Sequence, residues 1–133
     1  MEFAFLTLDD VLALHEELIH RYGGIPGLRD AGLLEAALAM AQAGFGGRYF
    51  HEFPHEMGAA YLFHLVRNHA FVDGNKRVAL ACAILFFKLN RVAYDITEEE
   101  AVKLTRVAAS GQADKGNVTA FFQQHIKKPE NSA

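Results

Sequence analysis

The chain has 133 residues, 51% hydrophobic and 22% charged, a balance that suits one compact domain and excludes a disordered segment. Its formal charge of −3, with no Lys/Arg run longer than two residues, leaves no electrostatic footprint for nucleic acid. The longest apolar run, about ten residues, is too short to span a bilayer.

The N-terminus, MEFAFLTLDD, carries acids where a signal peptide carries bases, so a reducing cytoplasm is the expected location. The single cysteine, Cys82, excludes an intramolecular disulfide and reads as a small core residue. Eleven phenylalanines and no tryptophan predict a phenylalanine-rich core.

Apolar spacing is helical almost throughout. Leu8, Val11, Leu12, Leu14, Leu18 and Ile19 form the stripe of a first helix, with Thr7 and Asp10 able to cap its start and Gly23-Gly24 ending it. After the turn IPGLRD, Asp30 caps a second helix to about Gln42, with Leu33, Leu34, Ala37, Leu38 and Ala41 inward. The segment GFGGRYFHEFP, residues 44–54, is the least helical part and reads as an irregular loop or a short hairpin. A third helix begins near Pro54 and runs to about Asn68, burying Met57, Tyr61, Leu62, Leu65 and Val66. A fourth runs from Asn75 to about Asn90 and is apolar nearly all round, which predicts the central, most buried helix. Thr97 and Glu100 form a capping box for a fifth, ending near Ser110-Gly111, and Asn117 is expected to cap a sixth that ends near Ile126. The expectation is an all-α bundle of about six helices, a single domain over residues 1–128 with a frayed tail at 129–133.

The run HEFPH, residues 51–55, matches the zinc-protease pattern H-E-x-x-H, but that pattern needs both histidines on one helical face. Pro54 falls inside it and disfavours helix there. His15, His20, His64 and His125 read as surface or satisfied, partly buried histidines. GFGGRY lacks the third glycine and the preceding strand of a dinucleotide fingerprint.

The chemistry concentrates in HAFVDGNKR, residues 69–77, between the third helix and the fourth. A helix N-terminus offers unpaired N–H groups and partial positive charge to an anion. Gly74 lets the backbone approach a ligand closely. Lys76 and Arg77 lie in the first helical turn, where the macrodipole disfavours cations, and that placement makes sense with a polyphosphate present. Asp73 suits Mg²⁺. His69 is a residue type suited to accept a proton from an attacking hydroxyl. Phe71 anchors the loop. The competing reading from the residues alone is a polar connection with Asp73 or Asn75 as a helix cap.

HAFVDGNKR resembles the signature of the Fic/Doc superfamily, loosely H-x-F-x-[DE]-G-N-[GK]-R, and most closely its Doc branch of death-on-curing toxins, which carry N-K-R where protein AMP-transferases carry N-G-R. RYGGIPGLRD, AAYLFHLVRNHAF and KRVALACAILFFKLNR also resemble Doc segments, so the likeness covers nearly the whole chain. Ala70 stands where proline is frequent in the superfamily, and Gly74 agrees with the broader superfamily although some Doc toxins have alanine there; both leave AMP transfer open.

The resemblance implies a Fic-type helical fold and the toxin of a type II toxin–antitoxin pair. By the same resemblance, the toxin uses ATP and Mg²⁺ to phosphorylate a threonine of elongation factor Tu, inhibiting translation. His69 would then be the general base and Asp73 the metal ligand. Phe71, Gly74, Asn75, Lys76 and Arg77 would form the nucleotide-binding set. Residues 44–53 would be a flap that holds the target as an added strand. No Ser or Thr has Glu four residues later, so the inhibitory-helix pattern of self-inhibited Fic enzymes is missing and a separate antitoxin, folding on binding, is the expected inhibitor. Lys76 fills space that glycine leaves open in AMP-transferases and adds a charge, which in the Doc branch goes with transfer of the terminal phosphate; AMP transfer and an inactive antitoxin-binding module are the alternative readings.

Overall fold

The computed structural model of the chain describes residues 2–127; the tail expected at 129–133 lies outside them. Six α-helices and one two-stranded hairpin follow in order: α1 Leu8–Tyr22, α2 Ala31–Gln42, β1 Gly44–Phe45, β2 Arg48–Tyr49, α3 His55–Asn68, α4 Asn75–Leu89, α5 Glu98–Ser110 and α6 Lys115–His125. No helix among the described residues is long and apolar enough to cross a membrane.

Local chemistry explains most of the boundaries. Thr7 with Asp10, and Thr97 with Glu100, close reciprocal capping boxes at α1 and α5. Asp30 accepts from the Leu33 N–H at the start of α2. At α6 the expectation is corrected. Asp114 is the N-cap, and Asn117 is the third helical residue, whose side chain bonds back to the Asp114 N–H. The carboxylate wins because it also complements the helix dipole. Residues 44–49 form the short hairpin, with Gly44 opposite Tyr49 and Phe45 opposite Arg48.

The second correction concerns the centre of the bundle. α3, not α4, is the hub, packed against α2, α4, α5 and α6. It buries Met57 through Leu62 without a break, then Leu65 and Val66. The reason is the small run Gly58-Ala59-Ala60, which lets neighbours approach from several sides. A methyl group added at Gly58 would overlap the Phe87 ring of α4. α4 is buried along one stripe only: Val78, Ala79, Cys82, Ala83, Phe86 and Phe87. Leu80, Ile84 and Leu85 are partly buried, and Leu89 is exposed.

One continuous core unites the helices, with Phe86 and Phe87 of α4 edge-on or tilted against Tyr61 and Phe122. The N-terminal segment is tied across it. The Leu6 N–H donates to the Tyr61 hydroxyl at 3.0 Å, and the Asn90 side chain bonds both N–H and C=O of Ala4. Burial pushes the Tyr61 phenol up to about 12.

Candidate active site

The loop between α3 and α4 is built by its neighbours. α3 ends on His69 in the left-handed conformation (φ 49°, ψ 49°), a state costing a non-glycine residue about 1–2 kcal/mol. Arg29 holds that turn. Its guanidinium donates to the His69 carbonyl at 2.8 and 2.5 Å, capping the carbonyl end of α3 with a cation. The backbone N–H groups of Arg29 and Asp30 both donate to the Ala70 carbonyl. Val72 N–H donates to the Gly27 carbonyl, and Leu28 bridges Phe71 in antiparallel fashion. Segment 27–30 is thus a template along which the loop is laid.

Inside the loop, the Asn75 side chain closes a ring. Its carbonyl accepts from Phe71 N–H at 3.0 Å and its amide donates to Phe71 C=O at 2.9 Å. The Phe71 ring is buried and stacks on His15 of α1 with centroids 3.8 Å apart. His15 Nε2–H donates to the Asp73 carbonyl at 2.8 Å, which fixes its tautomer. Gly74 caps α4 with φ 75°, and a Cβ there would press on Ile19 and His15 at 3.3–3.4 Å.

Asp73 is exposed, and its carboxylate is oriented by two backbone donors. Ile25 N–H reaches Oδ2 at 3.0 Å and Gly74 N–H reaches Oδ1 at 2.8 Å. These bonds, and after them the charge of Arg77, hold its carboxyl below the usual range, so it is ionised at neutral pH. Gly24 makes this possible, because a Cβ at that position would sit 2.8 Å from Oδ2.

His69, Asp73, Gly74, Asn75, Lys76 and Arg77 all line one open cleft of about 570 Å³, with Val72 at its edge. α5 contributes Arg106, Ala109 and Ser110 to the same cleft. Phe71 is absent from that lining. Its ring faces the core because an aromatic stacked on His15 is the loop's anchor, so it serves the site by holding the loop and not by touching a ligand. Asn75 lines the cleft, but its side-chain amide is engaged with Phe71, which leaves its backbone N–H for a ligand.

No side chain caps α4, in contrast to α1, α2, α5 and α6. Its first turn carries Lys76 and Arg77 and no acid. Arg77 donates to the Gly23 carbonyl at 3.3 Å and lies 5.0 Å over the Tyr22 ring. The anion-binding features read from the sequence therefore converge in space.

Four contributors were not singled out from the sequence: His15, the Gly24-Ile25 pair, Arg29 and Arg106. His15 had a signal, since it occupies the buried stripe of α1 between Val11 and Leu18. The others are brought in by tertiary contact.

The remaining histidines divide as their surroundings dictate. His51 precedes α3, so HEFPH does not put both its histidines on one helix. Lys115 donates to Nε2 of His51 at 3.3 Å and of His64 at 3.0 Å. Desolvation, then the Lys115 charge, drives His64 down to about 4, and the same causes lower His51. Glu52, His55 and Glu56 each bring one ligand atom within 4.8 Å of the others, a different set from the one the motif requires. His125 bonds Phe121 C=O at 2.7 Å and Glu100 at 3.3 Å.

Comparison with known proteins agrees with this geometry. The model of the Fic/DOC family matches residues 5–87, from α1 through most of α4. The chain is 37% identical over 113 residues to a protein named "Protein kinase doc" from Escherichia phage P1, covering 85% of this chain and 88% of that one. It is 40% identical over 101 residues to a "Toxin Doc" from Mycolicibacterium smegmatis, covering 74% of this chain and 78% of that one. With the family match spanning residues 5–87 and both relatives matching over most of the chain, the protein belongs to the Fic/DOC family.

Proposed function

We propose that this protein is the toxin of a toxin–antitoxin pair, and that it transfers the terminal phosphate of ATP to a hydroxyl of a target protein. The observation that carries the reading is the uncapped start of α4, where free N–H groups, Lys76 and Arg77 face a cleft that also holds His69 and Asp73. The names of the phage P1 and mycobacterial relatives support the kinase and toxin assignments. Elongation factor Tu is the proposed target, with arrest of translation as the consequence, and an antitoxin segment that folds on the toxin is the proposed inhibitor.

The residues suit the cofactors. Asp73 would hold Mg²⁺: each of its oxygens accepts one N–H and keeps a lone pair for a metal, and the carboxylate is ionised. The metal, when bound, supplies charge neutralisation on the phosphates. Lys76, Arg77 and the α4 N-terminus bind phosphate oxygens and stabilise charge on the transferred group. His69 takes the proton of the attacking hydroxyl as its oxygen bonds the terminal phosphorus. The bond from that phosphorus to the bridging oxygen breaks, and ADP leaves with the electron pair. Hairpin residues 44–49 are exposed, Phe45 at 84%, and would present an edge to the target segment.

The test is incubation of the purified protein with Mg²⁺, elongation factor Tu and ATP labelled at either the α or the γ phosphate. Transfer of γ label alone, lost in His69→Ala, is the expected result. Transfer of α label would make the protein an AMP-transferase. No transfer to this factor or to any protein of a cell extract would leave an inactive, antitoxin-binding module.

A further inference from the structure

We infer that Arg106 of α5 is a third phosphate-binding cation of this cleft, supplied from outside the His69–Arg77 loop; the inference rests on the phosphate-transfer reading above. Arg106 lines the same cleft as Asp73, Lys76 and Arg77. With Lys76 and Arg77 it also lines a smaller adjoining cleft of about 310 Å³ between α4 and α5, whose other walls are Leu80, Val102 and Thr105. The three cations therefore stand together where the polar cleft passes into a more apolar one, Arg106 on the α5 side.

Its surroundings give it no partner of its own. Among the described residues, none of the ion pairs within 4.0 Å involves Lys76, Arg77 or Arg106. Glu98 and Glu99 line a neighbouring surface depression with Arg106 but form no such pair with it. Arg77 is held towards the end of α1 by the Gly23 carbonyl and the Tyr22 ring. Arg106 reaches the cleft from another element, and its guanidinium makes no hydrogen bond among the described residues.

The charge count points the same way. The cleft holds three fixed cations, Lys76, Arg77 and Arg106, against one carboxylate, Asp73. A divalent metal on Asp73 would leave the site more positive still. Only a ligand with several negative charges balances it, and a guanidinium is suited to grip two phosphate oxygens at once. One helical turn past Lys76, α4 offers apolar Leu80, so a further cation over the cleft has to come from α5. A polyphosphate lying along the start of α4 would thus be gripped by Arg77 from the α1 side and by Arg106 from α5.

Arg106 is exposed, so its replacement should leave the fold intact. Titration calorimetry of the full chain with Mg-ATP, and separately with inorganic tripolyphosphate, tests the assignment. Arg106→Ala should weaken both about tenfold and Arg106→Lys less. Lys88→Ala, which removes the same charge at the far end of α4, should bind as the wild type does. In the transfer assay Arg106→Ala should raise KM for ATP with a smaller change in kcat, and its melting temperature should match the wild type. Unchanged binding in Arg106→Ala alongside lost binding in Arg77→Ala overturns the role of Arg106 and leaves the phosphate site standing. Loss for ATP but not for tripolyphosphate overturns the phosphate contact in favour of the nucleoside. Failure of the wild type to bind either ligand overturns the phosphate site itself.

Discussion

At the scale of single residues, the site depends on a residue held in an unfavourable shape. His69 is left-handed at φ 49°, and Arg29 fastens its carbonyl. Replacing Arg29 with alanine should lower kcat ten- to a hundredfold while changing KM for ATP little, because a base displaced by about an ångström loses its near-attack geometry. Arg29→Lys should recover part of that loss, and steady-state kinetics of the three proteins decides the point. His69→Gly should separate function from stability. It should be inactive, yet melt no lower than the wild type and up to about 1 kcal/mol more stable, since glycine has no left-handed penalty and the exposed imidazole gives up little packing. A clear drop in melting temperature would show that the imidazole is a structural member of the turn.

At the scale of elements, the join between α3, α6 and the segment before α3 is sensitive to pH. His64 titrates at the ordinary 6.5 in the unfolded chain and at about 4 in the folded one, because burial and the Lys115 ammonium oppose its charge. The unfolded chain therefore takes the proton first. Stability is at its full value above about pH 6.5 and declines as pH falls towards 4. With solvent screening discounted, the loss is on the order of 1–2 kcal/mol. Urea denaturation at pH values from above 6.5 down towards 4 should show it, and His64→Gln should flatten the curve. An unchanged slope would mean that His64 is neither kept from water nor held beside Lys115 in solution.

The same scale shows what the sequence could reveal. Helix starts were readable where a side chain caps them, as at Thr7, Asp30 and Thr97, because the cap is local. At α6 two capping residues lie three apart, and Asp114 took the position expected of Asn117. The centre of the bundle was misplaced because continuous hydrophobicity marks α4, whereas burial on several sides depends on the small residues of α3.

At the scale of the whole molecule, the contiguous part of the site was legible and the part assembled by folding was not. His69 through Arg77 lie within one loop and one helical turn, so their chemistry could be read together. Gly24, Ile25 and Arg29 meet that loop from 40 or more positions away, with separations of 48 for Ile25–Asp73 and 40 for Arg29–His69. No local pattern announces such a contact. The N-terminal segment is joined to the bundle in a similar way, through Tyr61. Tyr61→Phe leaves the buried Leu6 N–H without its acceptor and should destabilise the fold by about 1–3 kcal/mol, measured by chemical denaturation. A variant as stable as the wild type would show that water replaces the hydroxyl.

The loop's template has a genetic consequence. Gly24 gives room to Asp73, Gly27 receives Val72, and Arg29 fixes His69, so damage to segment 24–30 would disturb the loop on which the proposed chemistry rests. A screen of random mutants for lost activity should return linked clusters of hits at residues 24–30 and 69–77, besides any in the hairpin at 44–49 proposed to hold the target. Second-site revertants of a hit in one cluster should fall in the other.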